Sequence, residues 1–154
     1  MTQILKDKVV LLTGASRGIG AGIALELGKQ GAILYGTATS EKGAASITQT
    51  LKSNGINGQG LVLNVNNNIS IQNAIDHINE VSEGINILVN NAGITKDTLL
   101  MRMKDDDWDD VINTNLKSVY KLSQVAIKNM MKARYGRIIN ISSCLLYTSD
   151  AADE

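Results

Sequence analysis

Neither proline nor phenylalanine occurs in the 154 residues, and cysteine appears once, as Cys144. A single thiol closes no internal disulfide. That excludes the disulfide-braced secreted scaffolds and points to a reducing, cytoplasmic setting. Net charge is also missing, since fifteen basic residues balance fifteen acidic ones. A chain without an overall field offers no dedicated surface to nucleic acid or to an anionic membrane. The N-terminal stretch MTQILKDKVVLLTG holds an apolar run of only five residues, 9–13, too short for a signal peptide or a membrane span. The missing proline and phenylalanine carry a different message. Late loops ordinarily use both, so a missing piece of a longer chain is expected.

What is present is ordinary for a water-soluble globular protein: 44% apolar and 19% charged residues, in a length that suits one domain. Short apolar runs alternate with longer amphipathic stretches, with no repeat or linker. Strands are predicted at residues 8–14, 32–38, 58–65, 85–93 and 136–142. Helices are predicted at 18–31, 41–54, 69–83 and, as one long element, 106–133. Continuous apolar strands alternating with helices imply a parallel sheet covered on both faces, a doubly wound α/β fold.

The stretch TGASRGIG, residues 13–20, falls at the first strand-to-helix junction. Backbone must approach a pyrophosphate closely there, without side chains in the way. Gly14 suits the sharp turn, Gly18 the close approach, and Gly20 tight packing of helix on strand. The helix N-terminus adds free N–H groups and a partial positive charge for phosphates. Ala15, Ser16, Arg17 and Ile19 complete the candidate nucleotide-binding turn. A plain connecting turn is the simpler reading. The spacing GxxxGxG at the first junction favours nucleotide binding.

These residues, with NNAG at 90–93, resemble the signatures of the short-chain dehydrogenase/reductase family. GITKDTLLMRMKDDDWDDVINTNL at 93–116 and GTATSEKGA at 36–44 are similar to one branch, the bacterial 3-oxoacyl-[acyl-carrier-protein] reductases. The resemblance covers residues 4–143 and implies the N-terminal five strands of a Rossmann-like, doubly wound sheet. It also implies cofactor contacts from Asn64 and Val65 at the adenine, and from Asn91, Ala92 and Gly93 near the fourth strand. Strand two ends in GTATSE, with hydroxyls where an NAD enzyme places its ribose-binding acid. Arg17 and Thr39, with Ser40, suit a 2′-phosphate instead, so NADP(H) is the expected cofactor. Glu41 is expected to begin the next helix, where its charge complements the dipole.

By the same resemblance, Ser143 would hydrogen-bond a substrate carbonyl, and Asn115 would hold a proton-relaying water. The family's proton donor is a tyrosine followed four residues later by a lysine, which favours the phenolate. None of the four tyrosines meets that test: Tyr35 is followed by Thr39, Tyr120 by Gln124, Tyr135 by Ile139 and Tyr147 by Ala151. No lysine or arginine follows Arg137. Tyr147 also comes only four residues after Ser143, so it is not the family's tyrosine. The expected organisation is therefore an incomplete NADP-binding domain at 1–143. Residues 144–154 form a non-family tail, of the kind made when a reading frame runs on into adaptor or vector sequence.

The acidic run KDDDWDD at 104–110 reads as solvated helix capping, with no metal site expected. His77 falls on the polar side of its helix, and the methionines read as packing residues. Lys128, Lys132, Arg134 and Arg137 cluster near the end of the long helix. In this branch such residues dock the acidic acyl carrier protein, which makes Arg134 a candidate contact. The parent enzyme is expected to be a cytoplasmic homotetramer that reduces 3-oxoacyl-[acyl-carrier-protein] with NADPH. An acetoacetyl-CoA reductase and a catalytically dead nucleotide-binding fragment are the alternatives.

Overall fold

The computed structural model describes residues 3–143. Five strands, β1 (Val9–Leu12), β2 (Ile33–Ala38), β3 (Gly58–Val62), β4 (Ile87–Asn90) and β5 (Arg137–Asn140), form one sheet in the order β3-β2-β1-β4-β5. Every pairing is parallel. The helices are α1 (Gly18–Lys29), α2 (Glu41–Ser53), α3 (Asn68–Val81), α4 (Asp105–Ile112) and α5 (Ser118–Ala133). The chain moves outward from β1 to β3, then crosses back to place β4 on the other side of β1. This is the doubly wound architecture expected from the alternation of strands and helices. It puts a topological switch point between β1 and β4, where the carboxyl ends of the strands open a crevice.

The alternation of side chains along β1 separates two core layers. Val9 and Leu11 pack with Ile71, Ile75 and Ile78 of α3 and Leu122, Ala126 and Met130 of α5. Val10 and Leu12 face the other way, onto Ala24 of α1 and Ile47 and Leu51 of α2. Both faces of β1 are buried, which is why its sequence is an unbroken apolar run. Ser40 caps α2, its Oγ accepting from Gly43 N, and Asn67 caps α3 through Ser70 N. Glu41 opens α2, as expected from its place beside the cap.

Two elements depart from the sequence expectation. The third strand ends at Val62, three residues early. Leu63 and Val65 are buried all the same, in the turn that leads to α3, so their apolar character reports burial rather than strand. The long helix predicted at 106–133 is interrupted by a π-helical turn, Asn113–Lys117, between α4 and α5. Ser118 donates its hydroxyl back to the Thr114 carbonyl, a contact that bends helices. A short 3-10 turn, Leu100–Arg102, precedes α4 and had no periodic signal. The edge strand β5 pairs only with β4 among the described residues, and all four of its residues are exposed.

Candidate functional site

A cavity of about 560 Å³ lies at the switch point, within the usual size range of small-ligand sites. Gly14, Ser16, Arg17, Gly18, Ile19 and Gly20 form one side. Gly14 and Gly18 adopt left-handed backbone, with φ of +66° and +54°. Space is open where a Cβ on Gly18 would project. No side chain caps α1 and its first turn holds no acid. Its leading N–H groups, which have no intrahelical partner, are left for a ligand. Ala15 differs from its neighbours. It is buried in the core, its N–H donates to the Thr37 carbonyl at 2.9 Å, and it does not line the cavity.

The glycine turn is fastened to the end of β4 by Thr13 and Asn91. Thr13 Oγ1 accepts from Asn91 N at 3.0 Å and from Ala92 N at 2.9 Å. Asn91 Nδ2 donates to the carbonyls of Thr13 and Gly14, both at 3.0 Å. These contacts hold the turn open across 77 and more residues of sequence. Thr13 is 1% exposed. Its importance was missed as a single residue, though a hydroxyl ending an apolar strand is a readable signal of a buried polar partner.

The opposite walls come from Thr37, Ala38 and Thr39 after β2, residues 63–66 after β3, and Asn91, Ala92, Gly93 and Ile94 after β4. Asn64 Oδ1 accepts from Asn66 N at 3.0 Å, so this amide is partly committed to shaping its own turn. Thr114 closes the wall from the π-helical turn. Asn66 and Thr114 were not anticipated. Asn66 follows the predicted adenine pair and Thr114 precedes the predicted Asn115, and only the fold brings them together.

Asn115 does not line the cavity itself. Its Oδ1 accepts from Ile94 N at 2.9 Å and its Nδ2 donates to Ile94 O at 2.8 Å. The side chain thus clips the loop after β4 to the π-helical turn, at the kind of irregularity that recurs at functional sites. Lys96, in the same loop, bridges Asp107 at 3.1 Å and Asp110 at 3.4 Å. The acidic run at the start of α4 therefore also anchors a loop. Hydrogen bonding to Asp107, then its charge, then Asp110, raise the Lys96 ammonium above its ordinary value. Ser143 lies three residues beyond β5 and is exposed.

The described tyrosines lie elsewhere. Tyr35 is buried and shares a 2.7 Å hydrogen bond with Ser82. Tyr135 sits under Lys8 and Arg137 at the amino ends of the strands. Tyr120 is exposed on α5. Tyr147, with the rest of the tail from residue 144, lies outside the described residues.

A glycine turn feeding an uncapped helix at the switch point of a parallel sheet defines a nucleotide-binding α/β protein of the Rossmann type. The match is closer than that class: residues 8–147 fit the family model described as short chain dehydrogenase, and the chain belongs to that family. It is 58% identical over 139 residues to the 3-oxoacyl-[acyl-carrier-protein] reductase of Pseudomonas aeruginosa, covering 90% of this chain and 56% of that protein. The corresponding reductase of Vibrio harveyi is 55% identical over the same shares. That of Escherichia coli is 54% identical over 90% of this chain and 55% of its own length. The chain thus spans little more than half the length of these relatives.

Proposed function

We propose that the chain is the cofactor-binding part of a cytoplasmic NADPH-dependent 3-oxoacyl-[acyl-carrier-protein] reductase of fatty-acid synthesis. The observation that carries the reading is the chemistry of the cavity walls. Arg17 is the one charged residue among the described lining, which also includes Thr39 and holds no carboxylate. A guanidinium and a hydroxyl suit a 2′-phosphate, whereas a ribose 2′-hydroxyl calls for an acid. The residues therefore fit NADP(H) as a group, and the names of the similar reductases supply the substrate class.

Bound NADPH supplies the hydride. The leading N–H groups of α1 would hold its pyrophosphate, and the open space at Gly18 leaves room for it. Arg17 and Thr39 would take the 2′-phosphate; Ser40, expected with them, does not line the cavity and caps α2 through Gly43 N. Asn64 and Val65 flank the adenine, and Asn91, Ala92 and Gly93 form the wall along β4. Ser143 would bind the substrate oxygen, and Asn115, whose side chain clips the neighbouring loop, would hold the proton-relaying water. Arg134 contributes to docking of the acyl carrier protein, and the whole enzyme is a homotetramer. Residues 1–143 are the cofactor-binding region.

None of the tyrosines has a lysine four residues on, so this chain holds no proton donor of the family type. The 154 residues alone bind NADPH without reducing acetoacetyl-CoA. Titration of the chain into NADPH, followed by nicotinamide fluorescence, tests the first half. NADPH should bind more tightly than NADH, and Arg17→Ala should weaken NADPH by ten-fold or more, roughly the strength of a charge-assisted hydrogen bond. Equal or tighter binding of NADH would overturn the cofactor assignment. Clear turnover of acetoacetyl-CoA would overturn the statement that the chain lacks its acid.

A further inference from the structure

Among the described residues one side-chain hydrogen bond joins the loop after β3 to another wall of the cavity, beside the backbone bond from Leu63 N to the Ala38 carbonyl at 2.9 Å and the core packing of Leu63 and Val65. Within the loop, Asn64 N donates to Ser70 Oγ at 3.0 Å, Asn64 Oδ1 accepts from Asn66 N, and Asn67 caps α3. These bonds shape the loop locally and do not tie it to another wall. Asn66 Nδ2 does so, donating to Thr114 Oγ1 at 2.8 Å across 48 residues. Thr114 is 8% exposed and adjoins Asn115, which clips Ile94 through both amide atoms. Asn66, Thr114 and Ile94 all line the cavity.

We propose that Asn66 and Thr114 are positioning residues for the dinucleotide. Their hydrogen bond sets the separation between the adenine-side loop and the π-helical turn, and through Asn115 it joins that wall to the loop after β4. The inference rests on the cofactor reading above. A ligand gripped between preset walls loses less freedom on binding than one that must first draw them together. Cutting the strut therefore weakens the ligand, even though neither side chain is required to touch it. Asn66 is exposed, so shortening it removes no core packing. Valine in place of Thr114 keeps the shape and removes only the hydroxyl.

The test measures binding of NADPH, and of adenosine 2′,5′-bisphosphate by displacement, to the full 154-residue chain. Asn66→Ala and Thr114→Val should each weaken both ligands about five-fold, the worth of one neutral hydrogen bond. The double variant should be no weaker than either single one, because both cut the same bond. Thr114→Ser should keep parental affinity. Unchanged affinity in either single variant, even with a lowered melting temperature, would overturn the proposal, as would losses that multiply in the double variant. Failure of the unmodified chain to bind NADPH would remove the cofactor reading and this inference with it. Binding by the parent with indifferent variants would remove this inference alone.

Discussion

A methyl group at Gly20 has nowhere to go. A Cβ there would stand 2.0 Å from the Gly14 carbonyl oxygen and 2.7 Å from Asn91 Nδ2, the amide that fastens the turn to β4. Gly18 presents the opposite case: a Cβ would meet open space, and the cost of a side chain is only that of its left-handed φ of +54°. Gly18→Ala should therefore cost about 1 kcal/mol. Gly20→Ala should cost about 2–3 kcal/mol through forced displacement of packed backbone, with loss of NADPH binding. Urea melts of the two variants check the order, and equal destabilisation would contradict it. A second residue-scale expectation concerns Thr13. Replacing its hydroxyl by a methyl in Thr13→Val strands the N–H groups of Asn91 and Ala92 and should cost about 2 kcal/mol, read from the same melts.

The element that decides the site is the π-helical turn between α4 and α5. Its extra residue per turn turns Thr114 into the cavity wall and leaves Asn115 clipped to Ile94. A regular helix through 106–133, as its sequence pattern suggests, would rotate one of these two away. Lys96 secures the same loop from the other end, against Asp107 and Asp110 of α4. Its ammonium is held above the ordinary lysine value of 10.5, first by the hydrogen bond to Asp107. A pKa raised on folding gives a contribution that is whole below 10.5 and disappears as pH climbs through the higher folded value. The pair is exposed, so the contribution is small. The urea midpoint of the parent should exceed that of Lys96→Met near neutral pH, and the two should converge at strongly alkaline pH. A difference that persists there would show that the lysine acts through packing of its stem.

At the scale of the whole molecule, the two edges of the sheet are unequally covered among the described residues. Strand β3 ends one edge beside α2, while β5 at the other edge carries the half-exposed Ile138 and Ile139. Leu116, Tyr120, Ile127 and Met131 also project from the end of the π-helical turn and from α5. An uncovered apolar edge strand is a template for pairing with another chain. The 154-residue chain should self-associate with rising concentration in sedimentation velocity, and Ile139→Lys should reduce that association. A monodisperse monomer with a cooperative melt would contradict this expectation. Among the described residues no helix is long and apolar enough to cross a membrane.

The doubly wound sheet and the glycine turn were legible from residue order alone. Buried strands must be apolar, surface helices must be amphipathic, and a close backbone approach to phosphate must use glycine. These are local demands, and local sequence states them. The grip of Thr13 on β4, the meeting of Asn66 with Thr114 and the engagement of Asn115 with Ile94 were settled only in three dimensions. Each joins polar side chains to partners 21 to 79 residues away, and a lone threonine or asparagine has the same appearance in a string whether its partner is water or another wall. The break in the long helix belongs with them, since its apolar positions continue in helical period through the π-helical turn. The sequence by itself carries the expectation of the ligand class, because glycine, arginine and the absence of an acid are choices of residue type. Tertiary structure decided the shape of the site, because a cavity wall is made of distances between residues that the chain keeps far apart.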